Sequence, residues 1–279
     1  MTSQDSRAHS VRIAVVTGGA RGIGEAAVRK FAASGMPVAI LDVDRARGDA
    51  LAAELGGEAE RVRFYPCDVS DEAVVAAVGA KVADELGRPS ILVTSAALIP
   101  NAESIMDMDM TAHDRMWRVN YQGTLHACRV FGRQMIAGGG GGSIVTVGSI
   151  NSLLPMPLPA YNPGKVAIAR VTQLLAAELG RHRIRVNGVA PTYVMTPELK
   201  ARIDSGQRDL AKMMSVHALD TLPVPADVAD AIVFLCSPMA RTITGILLPV
   251  DSGWAASVSY RSYAGGVPWA EPAGPQSGD

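Results

Sequence analysis

Val11-Arg12-Ile13-Ala14-Val15-Val16 is followed by Thr17-Gly18-Gly19-Ala20-Arg21-Gly22-Ile23-Gly24, and a helical pattern then runs to Ser34. This reads as strand, glycine turn, helix. Glycines at 18, 22 and 24 remove Cβ atoms where the chain turns tightly, leave room for a phosphate against the backbone, and let the helix lie close to the strand. Amides at the helix start face that anion, aided by the helix dipole. Gly18, Arg21, Gly22, Ile23 and Gly24 are therefore assigned to a dinucleotide. A second apolar run, Pro37-Val38-Ala39-Ile40-Leu41, ends in Asp42. A carboxylate at that strand tip can accept both hydroxyls of an adenosine ribose and repels a 2'-phosphate, which favours NAD over NADP. Arg21, Arg45 and Arg47 stand against this, because a nearby guanidinium can hold such a phosphate; as solvated surface charges they do not.

Working outward, Arg45 to Leu55 has helical spacing and Val62 to Tyr65 is a short strand leading to Asp68 and Val69. Asp68 at a third strand tip can accept from an adenine amino group while the amide of Val69 meets a ring nitrogen. Ser70, followed by Asp71 and Glu72, supplies the cap and acidic first turn of a helix to Leu86. Ser90 to Val93 is a near-continuous apolar run, the pattern of a parallel strand covered on both faces. Thr94-Ser95-Ala96-Ala97 follows, and its small residues let a cofactor approach the backbone near Ala96.

One long helix is expected from Thr111 to Ala137, with Asn120 inside it, a residue type that competes for backbone bonds there. Gly138 to Gly142 reads as a flexible connection, and Ser143 to Val147 as the next strand. Gly148-Ser149, Tyr161 and Lys165 come next. Tyr161 and Lys165, four apart, share one face of a helix whose start is marked by Pro159 and Pro163. A phenol is a poor base near neutrality, and a neighbouring cation stabilises its anion. Ser149 can hold a substrate oxygen beside it. A further strand spans 184–189; Thr196 after it can bond the cofactor and also cap a helix ahead of Pro197. Residues 198–222, with Met213 and Met214, read as a mobile lid over an apolar pocket or as a surface helix pair. A helix over 226–236 precedes a last strand, 245–250, whose Pro249 suggests a sheet edge. Candidate pocket walls are Leu98, Ile99, Ile150, Leu153, Leu154, Met156, Leu158, Val194, Met195, Met213 and Met214, with Asn151 and Tyr193 as polar contacts.

Composition excludes other classes. The chain has 279 residues, 48% of them apolar, and a net charge of -1, so no basic footprint for nucleic acid or anionic membranes is present. No stretch is long enough to span a bilayer, and Met1 to Ser10 is polar, without a secretory core; the cytoplasm is the expected location. Cys67, Cys128 and Cys236 are scattered in apolar surroundings and the five histidines lack ligand spacing, so no disulfide and no metal is expected. The expected organisation is a flexible N-terminus over 1–10, a single domain over 11–254, and a tail over 255–279. Its glycines and prolines argue against regular structure. It either lies on a neighbouring subunit or is unstructured.

Taken together, these residues resemble the short-chain dehydrogenase/reductase family from about Val11 to Trp254. Thr17-Gly18, Gly22 and Gly24 match its TGxxxGxG turn, Asn120, Ser149, Tyr161 and Lys165 its catalytic tetrad, and Thr244-Gly245 through Asp251 its C-terminal segment. The resemblance implies a doubly wound α/β Rossmann fold with a seven-stranded, mostly parallel sheet. It also implies a nicotinamide cofactor, interconversion of an alcohol and a carbonyl, and a homo-oligomer, tetramer or dimer. On that pattern Ser149 orients the substrate oxygen, Tyr161 exchanges its proton, Lys165 binds the nicotinamide ribose and tunes Tyr161, and Asn120 holds a water. Three departures stand out. Thr94-Ser95-Ala96-Ala97 replaces NNAG, Pro191-Thr192 replaces PG, and Asn162-Pro163-Gly164 replaces the usual small residues after the tyrosine. The leading reading is an NAD-dependent oxidoreductase for a small to medium, partly apolar secondary alcohol or ketone, contacted by Ser149, Asn151, Leu154, Tyr193 and Met195. The alternatives are a 3-oxoacyl thioester reductase using NADPH and a non-catalytic nucleotide sensor.

Overall fold

The computed structural model describes residues 12–56, 61–99 and 102–267. Seven strands, β1 (Ala14–Thr17), β2 (Val38–Asp42), β3 (Val62–Pro66), β4 (Ile91–Thr94), β5 (Gly142–Val147), β6 (Ile184–Pro191) and β7 (Leu247–Val250), form one sheet in the order β3-β2-β1-β4-β5-β6-β7. Every pairing is parallel. Pro249 does lie on an edge strand, where its missing N–H costs no ladder bond.

Helices cover both faces because successive strand residues point to opposite sides. Ala14, Val16, Ile91 and Val93 pack with Val28 and Phe31 of α1 (Gly22–Ala33) and Ile232 and Leu235 of α9 (Pro225–Cys236). Leu51 of α2 (Arg45–Gly56) joins them. Val15, Leu92 and Ile144 face the other way, against Val75 and Val82 of α3 (Glu72–Glu85), Phe131 and Met135 of α5 (Gly123–Gly138), and Leu179 of α6 (Asn162–Leu179). Strands buried on both faces explain why the sequence shows continuous apolar runs rather than alternation. The strand order reverses at β1 and β4, which opens a crevice beyond their carboxyl ends.

Four local expectations are corrected. The helix expected over 111–137 is interrupted: α4 (Met110–Trp117) passes through a π-helical segment, Arg118–Gln122, into α5. A π-bulge widens the turn by one residue and leaves the composition unchanged, so periodicity does not report it. The cap of α3 is Asp71, whose carboxylate accepts from the amides of Ala73 and Val74, while Ser70 donates to Asp68. Gly142 belongs to β5, and Gly139, at φ +67°, closes α5. Beyond Trp254 the chain is not irregular at once, because α10 (Trp254–Arg261) forms, anchored by Asp251 accepting from the Ala255 amide at 2.8 Å. The N-terminus 1–10 and the end of the tail, with Trp269, lie outside the described residues.

Candidate active site

One cleft of about 890 Å³ runs along the carboxyl ends of the strands. Gly18, Arg21, Gly22, Ile23, Asp42, Asp68, Val69 and Ala96 line one part of it, and Ser149, Asn151, Tyr161, Lys165, Tyr193 and Thr196 another. The sequence candidates therefore converge. Gly24, Asn120, Leu154 and Met195 do not line it, and neither do Leu153, Met213 or Met214.

Gly24 acts from behind the cleft. A Cβ there would lie 2.1 Å from the Gly18 carbonyl oxygen, so only glycine lets α1 press onto the turn. Gly18, at φ +64°, is pressed in turn against Ala96, whose Cα would lie 2.6 Å from an added Cβ. The N-cap of α1 is Arg21, and no side chain caps the helix. Its first-turn amides thus face the cleft without a protein partner of the usual kind, and the widened turn at Gly22 leaves only the Thr196 methyl, at 3.8 Å, near an added Cβ. That is a cradle for a phosphate-bearing group. Thr196 caps α7 (Pro197–Asp204), accepting from the Leu199 amide at 3.2 Å, and lines the cleft as well. The expected cap is present, and the residue stands where a cofactor contact is expected.

Asp42 is buried, and its two carboxylate oxygens accept from the amides of Ala20 (3.1 Å) and Asp44 (3.0 Å). These bonds fix the carboxylate at the cleft wall. Of the arginines weighed against NAD, Arg47 is engaged by Glu198 at 3.2 Å and Asp44 at 3.7 Å, and Arg45 does not line the cleft; Arg21 does.

Tyr161 is the residue before α6, one position outside the first turn expected for it, and the Lys165 amide still bonds its carbonyl at 3.1 Å. Desolvation pushes its phenol up to about 12, opposed by a hydrogen bond with Ser149. Lys165 is buried, and burial lowers its ammonium to about 8; Nζ donates to the Val147 carbonyl at 2.7 Å and sits 5.3 Å from the centre of the Tyr161 ring. The tetrad's fourth member behaves differently. Asn120 Oδ1 accepts from the Leu98 amide at 2.7 Å and Nδ2 donates to the Leu98 carbonyl at 3.0 Å, so its side chain pins the loop after β4. Asn120→Ala is expected to cost about 1–3 kcal/mol, because two backbone groups lose their partner. Chemical denaturation reads this, and an unchanged midpoint contradicts it.

The departures acquire physical readings. Where side-chain amides are missing at 94–97, Ser95 N–H donates to the Thr17 carbonyl at 3.1 Å and Ala96 N–H to the Thr17 hydroxyl at 3.5 Å, while the buried Thr94 hydroxyl has no partner. Thr192 turns its hydroxyl to His217 Nε2 at 2.8 Å. Residues 197–204 form α7 and 210–214 form α8 (Leu210–Met214), and Met213 is buried without lining the cleft. The cysteines are free and buried, and no cluster of metal-ligating residues occurs among the described residues.

A family model described as enoyl-(acyl carrier protein) reductase matches residues 18–255. D-threitol dehydrogenase of Mycolicibacterium smegmatis is 37% identical over 248 residues, covering 87% of this chain and 92% of that protein. (+)-Borneol dehydrogenase 2 of Salvia officinalis is 35% identical, covering 88% and 90%. The crystal structure of an oxidoreductase of the short-chain dehydrogenase/reductase family from Burkholderia thailandensis superimposes with a TM-score of 0.80 at 34% identity, over 88% of this chain and 94% of that one.

The chain belongs to the short-chain dehydrogenase/reductase family. It is an oxidoreductase, and short-chain dehydrogenase/reductases work with a nicotinamide cofactor. The uncapped start of α1 and the fixed Asp42 suit such a group. Among the described residues no helix is long and apolar enough to cross a membrane.

Two residues escaped the sequence reading. Asn162 looked like a mere departure from the usual small residues, yet its amide bonds Asn151 at 3.2 Å and Leu154 at 3.1 Å. The Val147 carbonyl that holds Lys165 has no side-chain signal at all.

Proposed function

We propose that this chain is an NAD-dependent dehydrogenase that interconverts a secondary alcohol and a ketone on a small to medium, partly apolar substrate, with Tyr161 as general acid and base. The observation that carries the reading is the meeting of Ser149, Tyr161 and Lys165 in one cleft, with Lys165 Nζ 5.3 Å from the centre of the Tyr161 ring. A nicotinamide cofactor held along the glycine turn and at Asp42 would supply the hydride acceptor for oxidation and the hydride donor for reduction. The protein handles the proton. In oxidation the alcohol O–H proton passes to the Tyr161 oxygen as the carbonyl forms; in reduction the phenol returns it. The single Ser149 hydrogen points into the cleft, where the phenol oxygen and the substrate oxygen share it, and Lys165 supplies positive charge on the side of the ring. Leu98, Ile150, Met156 and Leu158 give the cleft apolar walls beside Tyr193 and Asn151. A 3-oxoacyl thioester is the second reading, supported by the likeness to the 3-ketoacyl-(acyl-carrier-protein) reductase from Brucella melitensis, 31% identical with a TM-score of 0.80. Exposed Val166 and Leu174 on α6 support the homo-oligomer.

Asp42 supports NAD. Its charge would meet a 2'-phosphate at short range, and the guanidinium of Arg47 is already bound to Glu198. Asp42→Ala is expected to weaken NADH binding about tenfold or more, as charged hydrogen bonds to the ribose are lost, and to improve NADPH binding. Equilibrium fluorescence titration with both nucleotides reads this. Tighter NADPH than NADH binding in the native protein overturns the assignment. A screen of secondary alcohols with NAD against 3-oxoacyl thioesters with NADH and NADPH tests the substrate class; turnover of thioesters alone would select the second reading.

A further inference from the structure

We propose that Asn162 and Asn151 are positioning residues: together they orient the Ser149 hydroxyl so that its hydrogen is directed to Tyr161. The inference rests on the reading that Ser149 and Tyr161 carry the proton chemistry. It starts from an atom with no freedom. The Leu154 carbonyl can only accept, so the Asn162 group facing it at 3.1 Å is the amine Nδ2. The same Nδ2 lies 3.2 Å from Asn151, which must therefore present its carbonyl, Oδ1. Asn151 is buried, and with Oδ1 turned to Asn162 its own Nδ2 points to Ser149 Oγ, to which it donates at 3.0 Å. The Asn151 backbone N–H donates to the same Oγ at 3.1 Å.

Ser149 Oγ has two lone pairs and one hydrogen. Both lone pairs are taken by Asn151, so the hydroxyl acts as a donor into the cleft, where the Tyr161 oxygen lies. A serine with free lone pairs would rotate and accept from the phenol in part of its population, opposing deprotonation. Held as a donor, it stabilises the anionic form that alcohol oxidation needs. Asn151, expected as a substrate contact, thus has its carbonyl and one amide hydrogen committed to protein groups. Asn162 opens α6, where alanine is well tolerated, so its replacement removes the relay without breaking the helix.

The test is the pH profile of alcohol oxidation in Asn162→Ala. The charged groups that share the cleft with Tyr161, namely Lys165 of α6, Arg21 at the start of α1, Arg115 and Arg118 on and after α4, Glu198, Arg202 and Arg208 on and after α7, and Asp42 and Asp68, are untouched by this change. The inflection is expected to move to higher pH by about half to one unit, which lowers the rate about three- to tenfold at a pH below it, while KM stays within about twofold. Asn162→Ser, whose hydroxyl can again donate to Asn151, should recover part of the shift. In a Ser149→Ala background the substitution at 162 should move the inflection no further, since the relay then ends on nothing. A raised KM with an unmoved inflection, or an equal shift with and without Ser149, overturns the proposal. If no alcohol is turned over by the native protein, the functional reading fails. The relay is then judged by the 13Cζ resonance of Tyr161, assigned through Tyr161→Phe: its titration should move up in Asn162→Ala, and an unmoved titration overturns the proposal.

Discussion

Tyr161→Phe should lose about a hundred- to ten-thousandfold in kcat, the range general acid–base groups supply, equivalent to about 3–5 kcal/mol of barrier. NADH binding should stay within about threefold. The substitution removes one oxygen and keeps the ring, so packing against α6 and the position of Lys165 are preserved. The loss has a single cause: the substrate oxygen no longer has a group with which to exchange its proton. Lys165 does not take its place, because its Nζ is drawn to the Val147 carbonyl at 2.7 Å and lies 5.3 Å from the centre of the Tyr161 ring. Turnover within tenfold of native refutes the proton assignment, whereas a parallel loss of NADH binding would mean that the substitution had disturbed the cleft.

Gly24→Ala is the second large effect, and it acts on fold and cofactor together. The added Cβ would lie 2.1 Å from the Gly18 oxygen and 2.8 Å from its carbonyl carbon. Both are backbone atoms, and Gly18 cannot retreat, because its far side is packed on Ala96. Relief requires moving α1 away from the turn, at a cost of about 1–3 kcal/mol as for other overpacked sites. The same movement displaces the amides that would hold the pyrophosphate, so NADH affinity should fall more than tenfold. Gly35 provides the control. It has φ +77° with nothing within 4 Å of an added Cβ, so Gly35→Ala carries only the left-handed strain, about 1 kcal/mol, and leaves NADH binding unchanged. Equal effects at 24 and 35 on denaturation and nucleotide titration would contradict this account of the turn.

The parts of the molecule legible in the sequence are those where one residue type answers one physical demand. The glycine turn, Asp42 at a strand tip and the fourfold spacing of Tyr161 and Lys165 are of this kind, and continuous apolar runs gave the strands. What was not legible depends on partners far apart along the chain. The π-segment at 118–122 keeps the composition of a helix, so one unbroken helix was the natural expectation. Asn120 reads as a polar intruder, and only the folded loop reveals that both ends of its amide bond the Leu98 backbone. Some expected pocket walls do not line the cleft for a related reason: Leu154 contributes its carbonyl to Asn162, and Met213 is buried elsewhere, yet both look like wall residues in sequence. Asp71, not Ser70, caps α3 because adjacent polar residues compete for one geometry that sequence does not rank.

The most direct measurement is the pH dependence of kcat in both directions for one alcohol–ketone pair. With the phenol pushed up by burial, Tyr161 is protonated at neutral pH in the free protein. Oxidation requires it to have lost that proton, so its rate should climb as pH rises; reduction draws on the protonated phenol, so its rate should fall over the same interval. In Tyr161→Phe both residual rates should lose this dependence. Opposite slopes that vanish together in the variant are the predicted result, and slopes of the same sign, or slopes that persist without the hydroxyl, would contradict the central claim.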